Sequence, residues 1–156
     1  MFIEKLILSN FRCFGPAPTT IDLTSGLTAF VGANGAGKTA VMQALQRLFG
    51  VTGDQRRLRR QDFHVPSTEA VPPPQRNFVL EAIVAFPELD GVGADGAAIP
   101  EFFHQMAADE AGKLKCRLRL EATWTDDGSL DGTIEQKYWV IRTFGQFTDA
   151  DCTELK

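Results

Sequence analysis

Apolar and polar positions alternate loosely from Phe2 to Leu8, the period of a half-buried strand. Gly15-Pro16-Ala17-Pro18 is a turn signal, and Thr19–Leu23 reads as a short strand paired back on the first. After the break at Ser25-Gly26, Leu27-Thr28-Ala29-Phe30-Val31 is a compact apolar run that predicts a buried strand. A glycine-rich stretch follows. From Lys38 onward Val41, Leu45, Leu48 and Phe49 recur at helical spacing, with Gly50 and Gly53 as stop signals.

The second half alternates more clearly. Val65–Arg76 contains Pro66, Pro72, Pro73 and Pro74, which exclude a regular helix or a central strand and predict a flexible surface loop over 66–76. Asn77–Phe86 predicts a strand, 87–99 a second flexible excursion, and Pro100–Ala111 a short helix with Phe102, Phe103 and Met106 on one side. In Lys115–Thr125, Cys116, Leu118, Leu120, Ala122 and Trp124 share one face. Thr133–Thr143 answers it across the turn residues 126–132, which predicts an antiparallel hairpin. The polar end, Thr148–Lys156, carries no terminating signal.

The chain has 156 residues, the size of one domain, and 44% of them are hydrophobic, enough for a core. A formal net charge of -4 argues against a uniformly basic nucleic-acid coat while leaving room for a local basic patch. No apolar run approaches the roughly 18–20 residues that cross a bilayer. The start lacks the plan of a signal peptide, so the default location is cytoplasmic, with no membrane partner. Cys13, Cys116 and Cys152 have no CxxC spacing and read as reduced thiols.

The chemistry lies in Gly32-Ala33-Asn34-Gly35-Ala36-Gly37-Lys38-Thr39, which has the form G-x-x-x-x-G-K-[ST]. Glycines let the backbone turn with positive φ and bring successive N–H groups onto phosphate oxygens, and the following helix start adds its positive dipole end. Lys38 supplies a mobile charge to the β- and γ-phosphates, and the Thr39 hydroxyl is suited to magnesium. The motif therefore predicts ATP and Mg2+ as cofactors. Asn34, Gly35, Ala36, Gly37, Lys38, Thr39 and Ala40 would bind the nucleotide, and Thr39 the metal.

The Asn34 form of the loop resembles the ABC-type ATPases of the SMC and RecF group. Leu6-Ile7-Leu8-Ser9-Asn10-Phe11-Arg12-Cys13-Phe14 is similar to the I-x-N-F-R-x-F opening of that group. There the opening strand passes beside the nucleotide, which makes Arg12 a candidate ligand; the plain alternative is a surface arginine after a strand. The order of features from Phe2 to about Ile141 resembles the N-terminal ATPase segment of the OLD-family endonucleases. In that family a Toprim nuclease with metal-binding carboxylates follows. The implied fold is α/β: an ABC/SMC-type P-loop NTPase core, incomplete, with an antiparallel β subdomain. Residues 1–156 would form the N-terminal part of an ABC-type AAA/P-loop ATPase domain.

The sequence departs from the family pattern in having no apolar strand ending in Asp-Glu, no signature motif, no switch histidine and no Toprim carboxylate cluster. The expectation is a fragment of a longer protein or a truncated gene product, which alone binds nucleotide weakly and hydrolyses it poorly. The resemblance implies ATP, a second copy of the chain and, in the full-length protein, DNA as partners. It also sets three readings side by side: an ATPase that regulates an endonuclease, an SMC/RecF-type repair ATPase without nuclease, and a nucleotide-binding module without turnover.

Other residues carry weaker signals. Gln61 is a candidate switch-loop residue touching magnesium, against a solvated polar side chain. Asp62 and His64 are a candidate acid–base pair, against loop or capping roles. Arg56, Arg57, Arg59 and Arg60 are the densest positive charge and suit a DNA backbone, against a solvated face or ion pairs. Trp124, Tyr138 and Trp139 favour packing over base stacking. His104 reads as structural, and Asp126, Asp127 and Asp131 as a turn because their spacing does not match a calcium loop.

Overall fold

In a computed structural model, residues 1–90 and 105–155 are described. The strands are β1 (Phe2–Ser9), β2 (Thr19–Asp22), β3 (Gln75–Ala85), β4 (Ala107–Ala108), β5 (Leu114–Thr125), β6 (Thr133–Ile141) and β7 (Cys152–Leu155). Two helices, α1 (Lys38–Phe49) and α2 (Gly53–Arg56), lie between β2 and β3. The strands form one sheet in the order β2-β1-β3-β5-β6-β7, with β4 beside β5, and every pairing is antiparallel.

Strand alternation sorts the side chains onto two faces. The register pairs Leu6 with Ala82, Leu8 with Leu80, and Leu80 with Leu120, so these residues share one face. α1 packs on that face through Ala40, Val41, Ala44 and Leu48, which enter the same core as Phe78, Ala122 and Trp124. Ala40 and Ala44 are small enough to let the helix lie close to the strands. Phe78 is the hub of an aromatic group: its ring sits 5.2 Å from Phe11 and 4.9 Å from Phe63. Burying each such ring contributes roughly 2–3 kcal/mol. Phe11 and Phe63 also form an isolated antiparallel bridge, which brings the chain after β1 beside the chain before β3.

The opposite face carries charge. Glu81, Arg117 and Arg119 meet there, and the segment after β6 folds over them, with the Phe147 ring 5.0 Å and 5.3 Å from the two guanidinium groups. Arg117 donates to the carbonyls of Thr143 and Gly145, both at 3.0 Å, which ties that segment down.

Several expectations change. The run Leu27–Val31 is not a buried strand: it pairs with no described strand, and Leu27 and Val31 are 91% and 95% exposed. An apolar run signals a need for burial, but a strand forms only where a neighbour supplies the hydrogen bonds, and here Phe30 alone reaches the core. Gly53 does not stop α1 but starts α2, where Thr52 and Gln55 form a capping box. The proline-rich loop ends two residues earlier than expected because Gln75 and Arg76 already pair with Thr125 and Trp124. It is also anchored: Arg76 binds Glu69 and the His64 carbonyl, and the Asp126 amide donates to the Pro74 carbonyl. Of the helix expected over 100–111, the described part is not helical: Ala107–Ala108 pairs with Leu114 and Lys115. Phe102, Phe103, His104 and most of the excursion 87–99 lie outside the described residues, although Pro87–Leu89 forms a 3-10 turn. β7 was not expected; it pairs with the outer edge of β6. Among the described residues no helix is long and apolar enough to cross a membrane.

Candidate functional site

The glycine-rich segment is a tight turn running into a helix. Gly35 and Gly37 hold φ of 85° and 92°, the left-handed region that a side chain disfavours. The Ala36 amide donates to the Ala33 carbonyl at 3.2 Å, closing the turn. Gly37 is the N-cap of α1 and offers no side chain to its open amides. There is also no acidic residue in the first turn, whereas most helix starts supply a capping oxygen or a carboxylate. The result is a helix N-terminus with free donors and positive dipole, ready for an anion. A Cβ placed on Gly35 would meet nothing within 4 Å, so the space over the turn is open. The turn is thus not stretched out, and the space beside Gly35 is open.

Lys38 Nζ donates to the carbonyls of Gly32 at 2.6 Å and Ala33 at 2.8 Å. The lysine braces the turn it belongs to and stays beside the open amides. Thr39 is exposed at the next position, and Ala40 faces the core. Asn34 and Ala36 are exposed on the turn. The loop after β1 packs beneath it: a Cβ on Gly37 would lie 3.0 Å from Phe14 Cζ and 3.1 Å from Cys13 Sγ.

Arg12 sits in that supporting loop with φ of 52°, and Asn10 two residues earlier has φ of 56°. Non-glycine residues adopt this conformation only where their surroundings impose it. Here the His64 amide donates to the Asn10 carbonyl at 2.8 Å, the Arg12 amide donates to the Asp62 carbonyl at 2.9 Å, and the His64 ring meets the Arg12 carbonyl at 2.7 Å. The Arg12 guanidinium donates to Asp62 Oδ1 at 2.7 Å. It borders an open groove of about 1230 Å³ that is also lined by Arg57, Arg59, Arg60, Gln61 and Gln136. The residues expected to bind nucleotide therefore divide. Residues 32–40 form the turn and helix start, whereas Arg12 and Gln61 line the arginine groove, to which no residue of 32–40 contributes.

Asp62 and His64 do not form an acid–base pair. The Asp62 carboxylate is taken up by Arg12, by Arg47 Nε at 2.9 Å and by the Arg59 amide at 3.0 Å, and the His64 ring points to the Arg12 carbonyl. Arg47 is a residue that sequence reasoning missed. It lies on the buried stripe Ala40, Val41, Ala44, Arg47 and Leu48 of α1, and a charged residue at that spacing is the signal of a buried ion pair.

The arginines of 56–60 are not equivalent. Arg56 binds back to the Gly50 and Val51 carbonyls. Arg59 pairs with Asp54 at 3.5 Å, and Arg60 covers the Trp124 ring at 4.7 Å. The aromatics of the hairpin are structural: Trp124 Nε1 donates to the Asp131 carbonyl at 2.7 Å, Tyr138 donates to the Arg47 carbonyl at 3.3 Å, and Trp139 Nε1 to Glu121 at 3.1 Å. Asp127 serves its turn. Hydrogen bonds from Ser129 and Thr133 draw its carboxyl down to about 2. Among the described residues no cluster of three or more His, Cys, Asp or Glu could hold a metal ion. A magnesium ion here would rely on the Thr39 hydroxyl, water and phosphate oxygens, the hard oxygen set it prefers.

Comparison with known proteins gives the family and the fold. A family model described as an AAA domain matches residues 5–145. The chromosome partition protein Smc of Mycobacterium tuberculosis is 43% identical over 53 residues, 34% of this chain and 4% of that protein. The Smc protein of Pyrococcus furiosus is 41% identical over 49 residues, 31% of this chain and 4% of that protein. This chain thus spans only a small part of the length of the curated relatives it matches. Two solved structures share its fold, each with a TM-score of 0.51 and 24% identity over 90% of the chain. One is of an SMC ATPase described with its ATP-driven dimerization and DNA-stimulated activation, 69% of which is covered. The other is an Smc head bound to the C-terminal winged-helix domain of ScpA, of which 35% is covered. With its helix-starting glycine turn, its antiparallel sheet and a family match over residues 5–145, the chain belongs to the AAA domain family, with the α/β fold of an SMC-type P-loop NTPase.

Proposed function

We propose that the chain binds ATP with magnesium on residues 32–40 and contributes the phosphate-binding part of an SMC-type ATPase head. The observation that carries this reading is the start of α1: an uncapped, acid-free helix N-terminus behind two left-handed glycines, with Lys38 at its first position. The amides of Gly35 to Ala40 and the Asn34 side chain would hold the polyphosphate. Lys38 would exchange its two carbonyl partners for β- and γ-phosphate oxygens, because a charge-assisted bond to phosphate is stronger than one to a neutral carbonyl. Thr39 would ligate magnesium, with Gln61, which lines the arginine groove, as the second contact. Bound magnesium would neutralise charge on the terminal phosphates. Arg12 would meet the phosphates or sugar from the same groove.

Turnover is a property we assign to the full-length protein with a second copy of the chain. A nucleotide held at an open helix start needs a second surface to close over it, and ATP-driven dimerization is described for the related SMC ATPase. The exposed Arg57, Arg59 and Arg60 would contact a DNA backbone. Calorimetry with MgATP tests the core of the proposal: micromolar or submillimolar binding is expected, and no heat at millimolar ATP would reject it.

The finer reading, regulation of an OLD-like endonuclease, draws on the order of the opening strand, the phosphate loop, the Gln61-Asp62-Phe63-His64 stretch and the two later strands. The SMC/RecF-type ATPase without nuclease accounts for the same features about as well. The full-length protein separates them. ATP-modulated, metal-dependent cleavage of DNA supports the first, and DNA-stimulated ATP hydrolysis without cleavage supports the second.

A further inference from the structure

Three segments of the chain converge on one carboxylate. Asp62 is fully buried, at 0% exposure. Its Oδ1 accepts from Arg12 Nη2 at 2.7 Å, and its Oδ2 accepts from Arg47 Nε at 2.9 Å and from the Arg59 amide at 3.0 Å. Its own carbonyl accepts from the Arg12 amide at 2.9 Å. Arg12 belongs to the loop that supports Gly37, Arg47 to the last turn of the helix that the phosphate loop starts, and Arg59 to the arginine segment.

One negative charge faces two guanidinium groups that cannot lose their protons, so the cluster keeps an excess of positive charge. Asp62 satisfies Nη2 of Arg12 but not its Nε, which is buried with no partner. Without the carboxylate, Arg12 and Arg47 would repel each other across a buried space, and Arg12 would lose the contact that fixes its side chain.

We propose that Asp62 is the positioning residue of this site. It holds Arg12 where nucleotide can reach it, and it ties the arginine segment to the helix of the phosphate loop. Asp62 touches no ligand itself; it acts through Arg12. The proposal rests on the reading of residues 32–40 as an ATP site with Arg12 as a ligand.

The experiment is a double-mutant cycle in the full chain, read by calorimetry with MgATP. Asp62→Asn keeps the shape and one acceptor oxygen. Asp62→Asn and Arg12→Ala should each weaken ATP about 10-fold, the loss of about one charge-assisted hydrogen bond. The double variant should also lose about 10-fold, because both changes remove the same contact. Glu81→Gln, on the other face of the sheet, should lower the melting temperature while leaving ATP affinity unchanged, which separates positioning from loss of stability. If Asp62→Asn does not fold, Asp62→Glu retains the charge and displaces it by one methylene. It should weaken ATP in the presence of Arg12 and have no effect in the Arg12→Ala background.

An additive loss of about 100-fold in the double variant would overturn the proposal, since Asp62 would then act independently of Arg12. Unchanged affinity in Arg12→Ala, with binding abolished in Lys38→Ala, would overturn it too while leaving the ATP site standing. Unchanged affinity in Lys38→Ala would remove both.

Discussion

Lys38 Nζ lies 2.6 Å from the carbonyl oxygen of Gly32, so the cation of the glycine-rich loop is bound to the loop's own backbone. The contact is exposed, and the carbonyls it serves can turn to water when it leaves. Lys38→Ala is therefore expected to change unfolding free energy by less than about 1 kcal/mol. If residues 32–40 hold the nucleotide as proposed, the same change removes the lysine charge offered to the phosphates and should abolish ATP binding in calorimetry. A variant that melts like the parent and still binds ATP with parental affinity would show that the nucleotide site lies elsewhere.

Gly35 and Gly37 share a backbone conformation but not a neighbourhood. Alanine in the left-handed region costs roughly 1–2 kcal/mol at either position. At Gly35 nothing lies within 4 Å of the new Cβ, so the backbone cost stands alone. At Gly37 the new Cβ would lie 3.0 Å from Phe14 Cζ and 3.1 Å from Cys13 Sγ, so the supporting loop must move as well. Gly37→Ala should thus destabilise more than Gly35→Ala in urea denaturation. Equal midpoints would show that the 12–14 loop yields without cost.

Glu81 is the counterpart of Asp62 on the opposite face: a buried carboxylate between Arg117 and Arg119. Glu81→Ala leaves Arg117 buried under the Phe147 ring without its anion, while the half-buried Arg119 keeps Glu121 at 2.7 Å. Loss of one partner from a buried pair costs about 3–5 kcal/mol. Urea denaturation should show a loss of that size in Glu81→Ala and a smaller one in Glu81→Gln, whose amide oxygen still accepts. A loss below about 1 kcal/mol would mean that water reaches the cluster when the carboxylate is gone.

These relationships mark what sequence pattern could and could not convey. Strong alternation placed Lys115–Thr125 and Thr133–Thr143 as a hairpin, and the structure pairs the strands Leu114–Thr125 and Thr133–Ile141 in a register that the pattern did not specify. The helix after the loop was legible because Val41, Leu45 and Leu48 keep its period. Leu27–Val31 misled for a physical reason: apolar composition reports a preference for burial, while strand formation depends on a partner that local pattern does not name. The four residues of β7 are too few for a period to show. Within the candidate site, residues 32–39 can be named from the motif because its chemistry is local, and their role as nucleotide ligands is the proposal that Lys38→Ala tests. The cluster of Arg12, Arg47 and Asp62 joins residues 50 and 15 positions apart, and only tertiary packing brings them together.

The three thiols should behave as three distinct groups, and the buried one makes stability depend on pH. All are free: Cys13 is exposed, Cys152 half-buried and Cys116 buried in the core. An aromatic disulfide reagent should therefore label Cys13 in the native chain and reach Cys116 only on unfolding. Burial also pushes the Cys116 thiol up to about 11 from an ordinary 9.0, because the thiolate is poorly solvated among Val84, Leu118 and Val140. In the unfolded chain the thiol ionises near its ordinary value, so between pH 9 and pH 11 the unfolded state alone releases this proton. The stability contributed is complete below pH 9 and falls as pH rises toward 11, by about 1.4 kcal/mol per unit at most. Tyr138 and Cys152 are raised by burial as well and shift stability in the same direction, so the parent chain alone does not isolate the Cys116 thiol. Cys116→Ala does. Its urea midpoint should decline less than that of the parent from pH 9 to pH 11, and parallel declines would show that the buried thiol does not titrate differently in the folded chain.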